Sequence, residues 1–338
     1  MNLCHAVDRR RNHAVIETST TLRRFAADSC SPDELAPPVM HCSRLLCLLL
    51  LPLILPGLVR GTAARTPAEP LSVMSYNILY DSPKWGADFA WSRRQPQVAA
   101  LLQRHPADVI GLQEVHRGQL PDLQGMLPEH DVVGAIPGAD TAEDLPWIMN
   151  PVFFRRDRLQ VLATGFAWLT ATDARGIPQL GWPEHGIIVA RPAHAVWSRF
   201  LDRSSDEVFY HINLHLPPQS PPARERAAAA LILLLRSFEP DRPVVVSGDY
   251  NASAEPALEL LFAHGLNNAR ALSRTTPTGP TGTKINRTTG SLGAHPIDHI
   301  FVSQPVHVQA FATIDDRFSE RHPSDHLPIV ARLQFTRD

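Results

Sequence analysis

Apolar positions along this chain fall into two kinds of short run, and their succession is the pattern of an α/β domain. Residues 71–79 alternate apolar and polar side chains, as a strand does. Residues 108–115 form a nearly continuous apolar run, which suits a buried strand. Residues 208–216 alternate again, 243–248 read as a buried strand, and 150–155, 159–164, 297–302, 308–313 and 329–333 read as further strands. Helical spacing lies between them. Residues 91–105 place Val98, Leu101 and Leu102 on one face and are broken by Pro106. Residues 223–238 are rich in alanine and leucine with prolines at the start, and 255–264 read as another helix. Two stretches lack such a pattern. Residues 171–194, rich in Pro and Gly, are expected to be loops with one short strand; 273–295, dominated by Thr, Gly and Ser, to be a long exposed loop.

Ahead of the domain the pattern changes. Met40-His41-Cys42-Ser43-Arg44 is followed by an apolar run over 45–59 and closed by Arg60-Gly61-Thr62-Ala63-Ala64. A basic start, a short apolar run and small residues at its end make a signal peptide, over 40–64. The run is too short for a comfortable membrane span and holds Pro52 and Pro56. Export to a periplasm or the exterior is therefore expected, with an uncleaved membrane anchor as the alternative. Residues 1–39, polar and basic, are expected to be disordered or untranslated, 65–70 to be a linker, and 71–338 to be the single folded domain.

Composition narrows the chemistry. The four cysteines, Cys4, Cys30, Cys42 and Cys47, all precede the domain, so it contains no disulfide, thiolate metal site or cysteine nucleophile. A net charge of −2 over 338 residues gives no general attraction to polyanions, so any such site must be a local patch or a metal. No GxSxG elbow, Walker A loop or HExxH spacing is present, which disfavours a serine esterase, an NTPase and a zinc protease.

The informative polar residues stand at the strand ends. They are Asn77, Gln113 with Glu114, Asn213 with His215, Asp249 with Asn251, Asp298 with His299, and Asp325-His326. Singly each has an ordinary explanation. Glu114 could cap a helix, Asp249 and Asn251 could form an Asx turn, His215 could be a satisfied buried histidine, and Asp325 could cap a turn. Jointly they converge at one side of a layered sheet, where so many carboxylates, amides and imidazoles are costly unless they bind something. Glu114 with Asp249 or Asp325 offers hard oxygen ligands suited to Mg²⁺ or Mn²⁺. A histidine beside a carboxylate is a candidate base or imidazolium.

Taken in order, SYNIL, GLQEV, NLHL, SGDYN, IDHIFVS and PSDHLPIV resemble the motifs of the endonuclease/exonuclease/phosphatase superfamily, whose fold is shared with pancreatic-type deoxyribonuclease, abasic-site endonucleases, bacterial sphingomyelinases and inositol polyphosphate 5-phosphatases. The resemblance spans residues 71–333. It implies a four-layer α/β sandwich, two mixed sheets face to face with helices outside, and hydrolysis of a phosphoester by water attacking in line. It implies Glu114 as the principal metal ligand with Asn77 close to it and Asp325 beside the metal. Asp249 would position the water and Asn251 would contact the phosphate. His326 would be the base or the cationic partner of the phosphate, Asp298 its orienting carboxylate, and His215 would stabilise the phosphate or assist the leaving group.

Two departures bear on substrate. Relatives follow NxHL with Asp-His where Pro217-Pro218 stand here, and carry an arginine before the strand tryptophan, Trp197, where Ala193 falls; Arg191 is the nearest replacement. A metal-dependent phosphodiesterase or nuclease is the leading expectation, with nucleic acid a candidate partner and no obligate protein partner for a monomer. A sphingomyelinase-like lipid phosphodiesterase is a second, although Trp147 and Trp182 are isolated and form no membrane hairpin. A sugar or inositol phosphomonoesterase is a third. The cations Arg93-Arg94 and Arg155-Arg156-Asp157-Arg158 are candidates for a phosphate backbone, although such runs are more often solvated surface.

Overall fold

The computed structural model describes residues 69–134, 148–170, 193–218, 220–318 and 320–335. The signal segment, the residues before it, all four cysteines, Trp147, Trp182 and Arg191 lie outside the described residues.

In chain order the strands are β1 (Leu71–Asn77), β2 (Val109–Gln113), β3 (Val115–His116), β4 (His130–Val133), β5 (Ile148–Met149), β6 (Val152–Arg155), β7 (Leu159–Trp168), β8 (His194–Asp202), β9 (Glu207–His215), β10 (Val244–Asp249), β11 (Asn267–Asn268), β12 (Asp298–Val302), β13 (Val306–Thr313) and β14 (Ile329–Phe335). The helices are α1 (Trp91–Arg104), α2 (Leu120–Met126), α3 (Pro221–Leu235), α4 (Pro256–Ala263) and α5 (Ala269–Leu272). One sheet has the order β13-β14-β1-β2-β6-β4 and the other β11-β12-β10-β9-β8-β7. Each is mixed: β1 runs parallel to β2, and β9 to β10, while the other pairs are antiparallel.

The strand period of two sorts each strand's residues between two cores. Val73, Val109, Val196, Phe209, Val245 and Ile300 meet between the sheets. Met74, Ile110 and Leu112 face outward under Val98, Leu101 and Leu102 of α1 and Leu123 of α2. Ile212, Leu214, Val246 and Phe301 face outward under Ala227 and Leu231 of α3 and Leu258 and Leu261 of α4. These are the four layers the sequence led us to expect.

The space between the sheets turns polar toward one end. Gln113 Nε2 donates to Asn213 Oδ1 over 2.6 Å and to Ser75 Oγ over 3.1 Å, and His211 Nε2 lies 3.0 Å from Ser247 Oγ. Gly111 permits this approach, since a Cβ there would stand 2.6 Å from Asn213 Oδ1 and 2.7 Å from Ser247 Oγ. The opposite end is closed by ion pairs. Buried Arg158 donates to Asp108 and Asp202 and to the carbonyls of Glu69 and Pro70, pinning the start of the domain. Arg155 pairs with Asp108 and Asp157, and Arg156 with Asp131. The cluster considered for a phosphate backbone thus sits at the strand ends remote from the site, with its charges satisfied by carboxylates.

Three further expectations are corrected. Arg94 is not surface cation but 2% exposed, donating to the carbonyls of Phe89, Ile78, Leu79 and Pro323. Residues 273–295 carry no strand of either main sheet, yet Thr283 and Ile285 are buried against residues 325–327 rather than exposed. Strand β7 continues to Trp168, four residues beyond the expected end, and its partner β8 was not foreseen.

Candidate active site

The inward-facing register that makes the core also makes the site. In β1 and β2 it ends at the paired residues Asn77 and Gln113; in β9 and β10 it ends at His215 and Asp249, and β12 begins opposite Asp249 with Asp298. The final loop adds Asp325-His326 just before β14. Two ties hold that loop: Ser324 Oγ donates to the Asn77 carbonyl over 2.7 Å, and Arg94 bridges the carbonyls of Ile78, Leu79 and Pro323. The guanidinium therefore anchors the final loop to the end of β1.

Asp249 Oδ2 is the point of convergence. It accepts from Asn77 Nδ2 over 3.0 Å, and His215 Nε2 and His326 Nε2 lie 3.4 and 3.5 Å away. Its other oxygen accepts from the Asn251 backbone N–H over 2.9 Å, so the Asx turn foreseen as the ordinary explanation is present and coexists with the site. Asn251 Nδ2 is 3.0 Å from His215 Nε2 and donates to the Leu216 carbonyl over 2.9 Å. That arrangement sets the histidine nitrogen as an acceptor toward the amide.

His326 is 2% exposed and its Nδ1 donates to Asp298 Oδ2 over 2.9 Å, which directs Nε2 toward Asp249. Burial alone would depress its pKa; the Asp298 and Asp249 carboxylates outweigh that and push it up to about 9, with Lys284 opposing them. Asp325, 1% exposed, would be raised by burial, but His326, Lys284 and Arg287 hold it below the usual carboxylate value. Lys284 Nζ donates to Asp325 Oδ2 over 2.8 Å and lies 2.8 Å from His326 Nε2, and Arg287 donates to the same carboxylate oxygen.

Glu114 follows β2 directly and breaks its alternation with a φ of 57°; Leu79 and Asn251 are also left-handed, at 57° and 51°. Non-glycine residues held there cost about 1–2 kcal/mol each, and such strain gathers where function requires a particular side-chain direction. Among the described residues the Glu114 carboxylate accepts a long bond, 3.4 Å, from the Tyr80 N–H.

The donor set fits a hard divalent cation. Asp249, Asp298 and His326 each bring one ligand-type atom within 4.8 Å of the others, and Asp298 Oδ1 and Asp325 Oδ1 are buried without a hydrogen-bond partner. Orphaned buried carboxylate oxygens are costly and suit oxygen-seeking cations. The grouping draws on residues assigned above to catalysis; of the residues the resemblance implied for the metal, Asn77 bonds Asp249 from β1, Asp325 precedes His326 in the final loop, and Glu114 follows β2 outside the grouping.

Lys284, Arg287, Arg94 and Ser324 were not among the sequence-selected site residues. Lys284-Ile285-Asn286-Arg287 is a basic pair just ahead of the IDHIFVS motif, and that position was the available signal.

Comparison with known proteins shows the family and the fold. Residues 74–326 match the Endonuclease/Exonuclease/phosphatase family. A crystal structure of a family protein from Bacteroides thetaiotaomicron superposes with a TM-score of 0.70 at 26% identity, covering 80% of this chain and 100% of that one. A mannosyl-6-phosphatase of Bacteroides thetaiotaomicron VPI-5482 superposes at 0.68 with 27% identity, covering 78% and 100%. An uncharacterized protein of Acanthamoeba polyphaga mimivirus is 22% identical over 264 residues, 72% of this chain and 91% of that protein.

Proposed function

The chain belongs to the endonuclease/exonuclease/phosphatase family, whose members are hydrolases acting on phosphoesters, and on that premise we propose that it is an exported, Mg²⁺- or Mn²⁺-dependent phosphoesterase. The observation that carries the reading is the buried Asp298–His326–Asp249 row at the mouth between the sheets. His326, oriented by Asp298, presents Nε2 to the reacting phosphoryl group or its water. Asp249, held by Asn77 and the Asn251 N–H, positions a water by accepting a hydrogen bond from it. His215 offers a donor to a non-bridging or leaving oxygen once its ring is protonated, and Asn251 would contact the phosphate by giving up its bond to that ring. The cation would be held by oxygens of Glu114, Asn77, Asp249 and Asp298, with Asp325 beside them. When bound, it supplies Lewis-acid polarisation of the phosphoryl oxygen and an acidified water.

Two substrate readings remain. The motifs led first to a phosphodiester. A terminal phosphomonoester is favoured by Lys284 and Arg287 beside His326, which add positive charge matched to a dianion, and by the 27% identity to a mannosyl-6-phosphatase. Export rests on the signal-like segment at 40–64 and is tested by N-terminal sequencing of the mature protein; retention of residues before Met40 contradicts it. The catalytic reading is tested with His326→Ala, expected to lose at least about a hundredfold in kcat on an activated phosphoester. Turnover like the wild type sinks it.

A further inference from the structure

Residues 283–293 fold back on themselves and lie along the final loop. Ile285 N donates to the Asp325 carbonyl and Leu327 N to the Thr283 carbonyl, each over 2.8 Å, so Lys284 pairs with His326 through the backbone. Gly293 N closes the fold on the Lys284 carbonyl over 2.8 Å. The main chain carrying Lys284 is thus fixed to the catalytic loop, while its side chain is 40% exposed. Arg287 is 34% exposed, and its guanidinium lies 4.1 Å over the Trp85 ring, which Lys84 also approaches at 4.1 Å.

Two features do not fit a structural ion pair. First, two cations rest on one oxygen of one carboxylate, and each has Asp325 as its only ion-pair partner among the described residues. One carboxylate pairs with both, and both side chains remain partly exposed. Second, Lys284 Nζ occupies His326 Nε2, the nitrogen that must meet substrate or water. As it stands, this contact blocks the chemistry that the Asp298–His326 pair prepares.

We propose that Lys284 and Arg287 form the phosphate clamp of this enzyme, parked on Asp325 and His326 in the free protein and transferred to the non-bridging oxygens when the phosphoester binds. The inference rests on the phosphoesterase reading above. Transfer frees Nε2 in the same movement that seats the substrate. The Arg287 fork suits two phosphate oxygens, and stacking on Trp85 holds it extended toward them. Lys284, a compact charge on a flexible stem, exchanges one anionic acceptor for another. A terminal phosphate, with its additional charge, should depend on the pair more than a diester does.

The test measures inorganic phosphate binding by titration calorimetry with Mg²⁺ present, for wild type, Lys284→Met, Arg287→Met and Lys284→Arg. Arg242→Met, on a surface ion pair with Glu239, is the control. Kinetics on an activated aryl phosphomonoester and diester accompany it. Loss of one charge-assisted contact is expected to weaken phosphate binding about 10- to 150-fold in each Met variant. Lys284→Arg should recover most of the loss, and kcat/KM should fall further for the monoester than for the diester. Wild type that binds no phosphate, or Met variants that bind it within about twofold of wild type, overturn the clamp. A wild type that binds phosphate through both residues yet hydrolyses nothing would overturn the catalytic reading and leave the clamp standing.

Discussion

Asp298→Asn isolates the contact on which the role of His326 depends. In the wild type Nδ1 donates to Asp298 Oδ2 over 2.9 Å, with both side chains buried. An amide keeps the shape of the carboxylate, removes its charge and can turn an N–H toward the ring. A buried hydrogen bond to a charged group contributes about 1.5–3 kcal/mol. At roughly 1.4 kcal/mol per pKa unit, that is about one to two units. The His326 midpoint, held up to about 9, should therefore fall by about one to two units. If the contact is fully expressed in the transition state, kcat should fall about 10- to 150-fold. The assay is kcat and kcat/KM on an activated phosphoester from about pH 5 to 10 with saturating Mg²⁺. A required neutral ring gives a limb rising with pH and a required imidazolium a falling one, but either limb moves to lower pH in the variant. Stability supplies a second readout. Because the folded pKa is raised from 6.5 to about 9, the stabilisation is full below the unfolded value and is lost as pH rises through 9. Its upper bound is about 3 kcal/mol, the full worth of that rise at roughly 1.4 kcal/mol per unit. An unchanged midpoint together with kcat within about threefold would refute the reasoning.

Other perturbations reach different parts of the structure. Arg94→Met removes the guanidinium from four carbonyls, of which that of Leu79 keeps a 3.3 Å bond from Gln119 Nε2, and should cost about 3 kcal/mol in chemical denaturation, with activity falling as the final loop detaches from the end of β1; a change below about 1 kcal/mol would contradict the anchoring role. Gly111→Ala forces a Cβ against Asn213 and Ser247 and should cost about 1–3 kcal/mol, whereas Gly86→Ala, with open space around it, should cost only what its φ of +77° imposes, about 1 kcal/mol. Asp325 titrates below its unfolded value, so its contribution to stability is present above about pH 4 and lost as pH falls through the lowered folded pKa; the acid slope of unfolding free energy should be shallower in Asp325→Asn, and equal slopes would remove the ion-pair account.

What the sequence disclosed and what it withheld follow from the range of the interactions. Asn77, His215, Asp249 and Asp298 could be picked out because a strand's period of two leaves a polar side chain at an inward position conspicuous. The strand pattern led to an α/β domain, and the resemblance carried by the ordered motifs implied its four layers. Arg94 was misjudged because its partners are main-chain carbonyls from the residues just after β1, the turn before α1 and a loop more than two hundred residues away, none of which leaves a mark near Arg94 itself. Lys284 and Arg287 were hidden by composition: a stretch of Thr, Gly and Ser reads as solvated loop, yet its backbone pairs with the final loop and carries both cations into the site. Strand β8 escaped for a third reason. Its N-terminal half adjoins proline- and glycine-rich sequence, and pairing with β7 and β9, not local propensity, defines it.

The central claim is that these carboxylates and histidines carry out cation-assisted phosphoester hydrolysis. Its most direct measurement is a panel of DNA, RNA, sphingomyelin and activated phosphomono- and diesters, each assayed with Mg²⁺, with chelator, and with Mg²⁺ or Mn²⁺ restored. The expected result is turnover of at least one phosphoester that chelation abolishes and the cation restores. Turnover undiminished in chelator, or none on any member of the panel with either cation, would contradict the account.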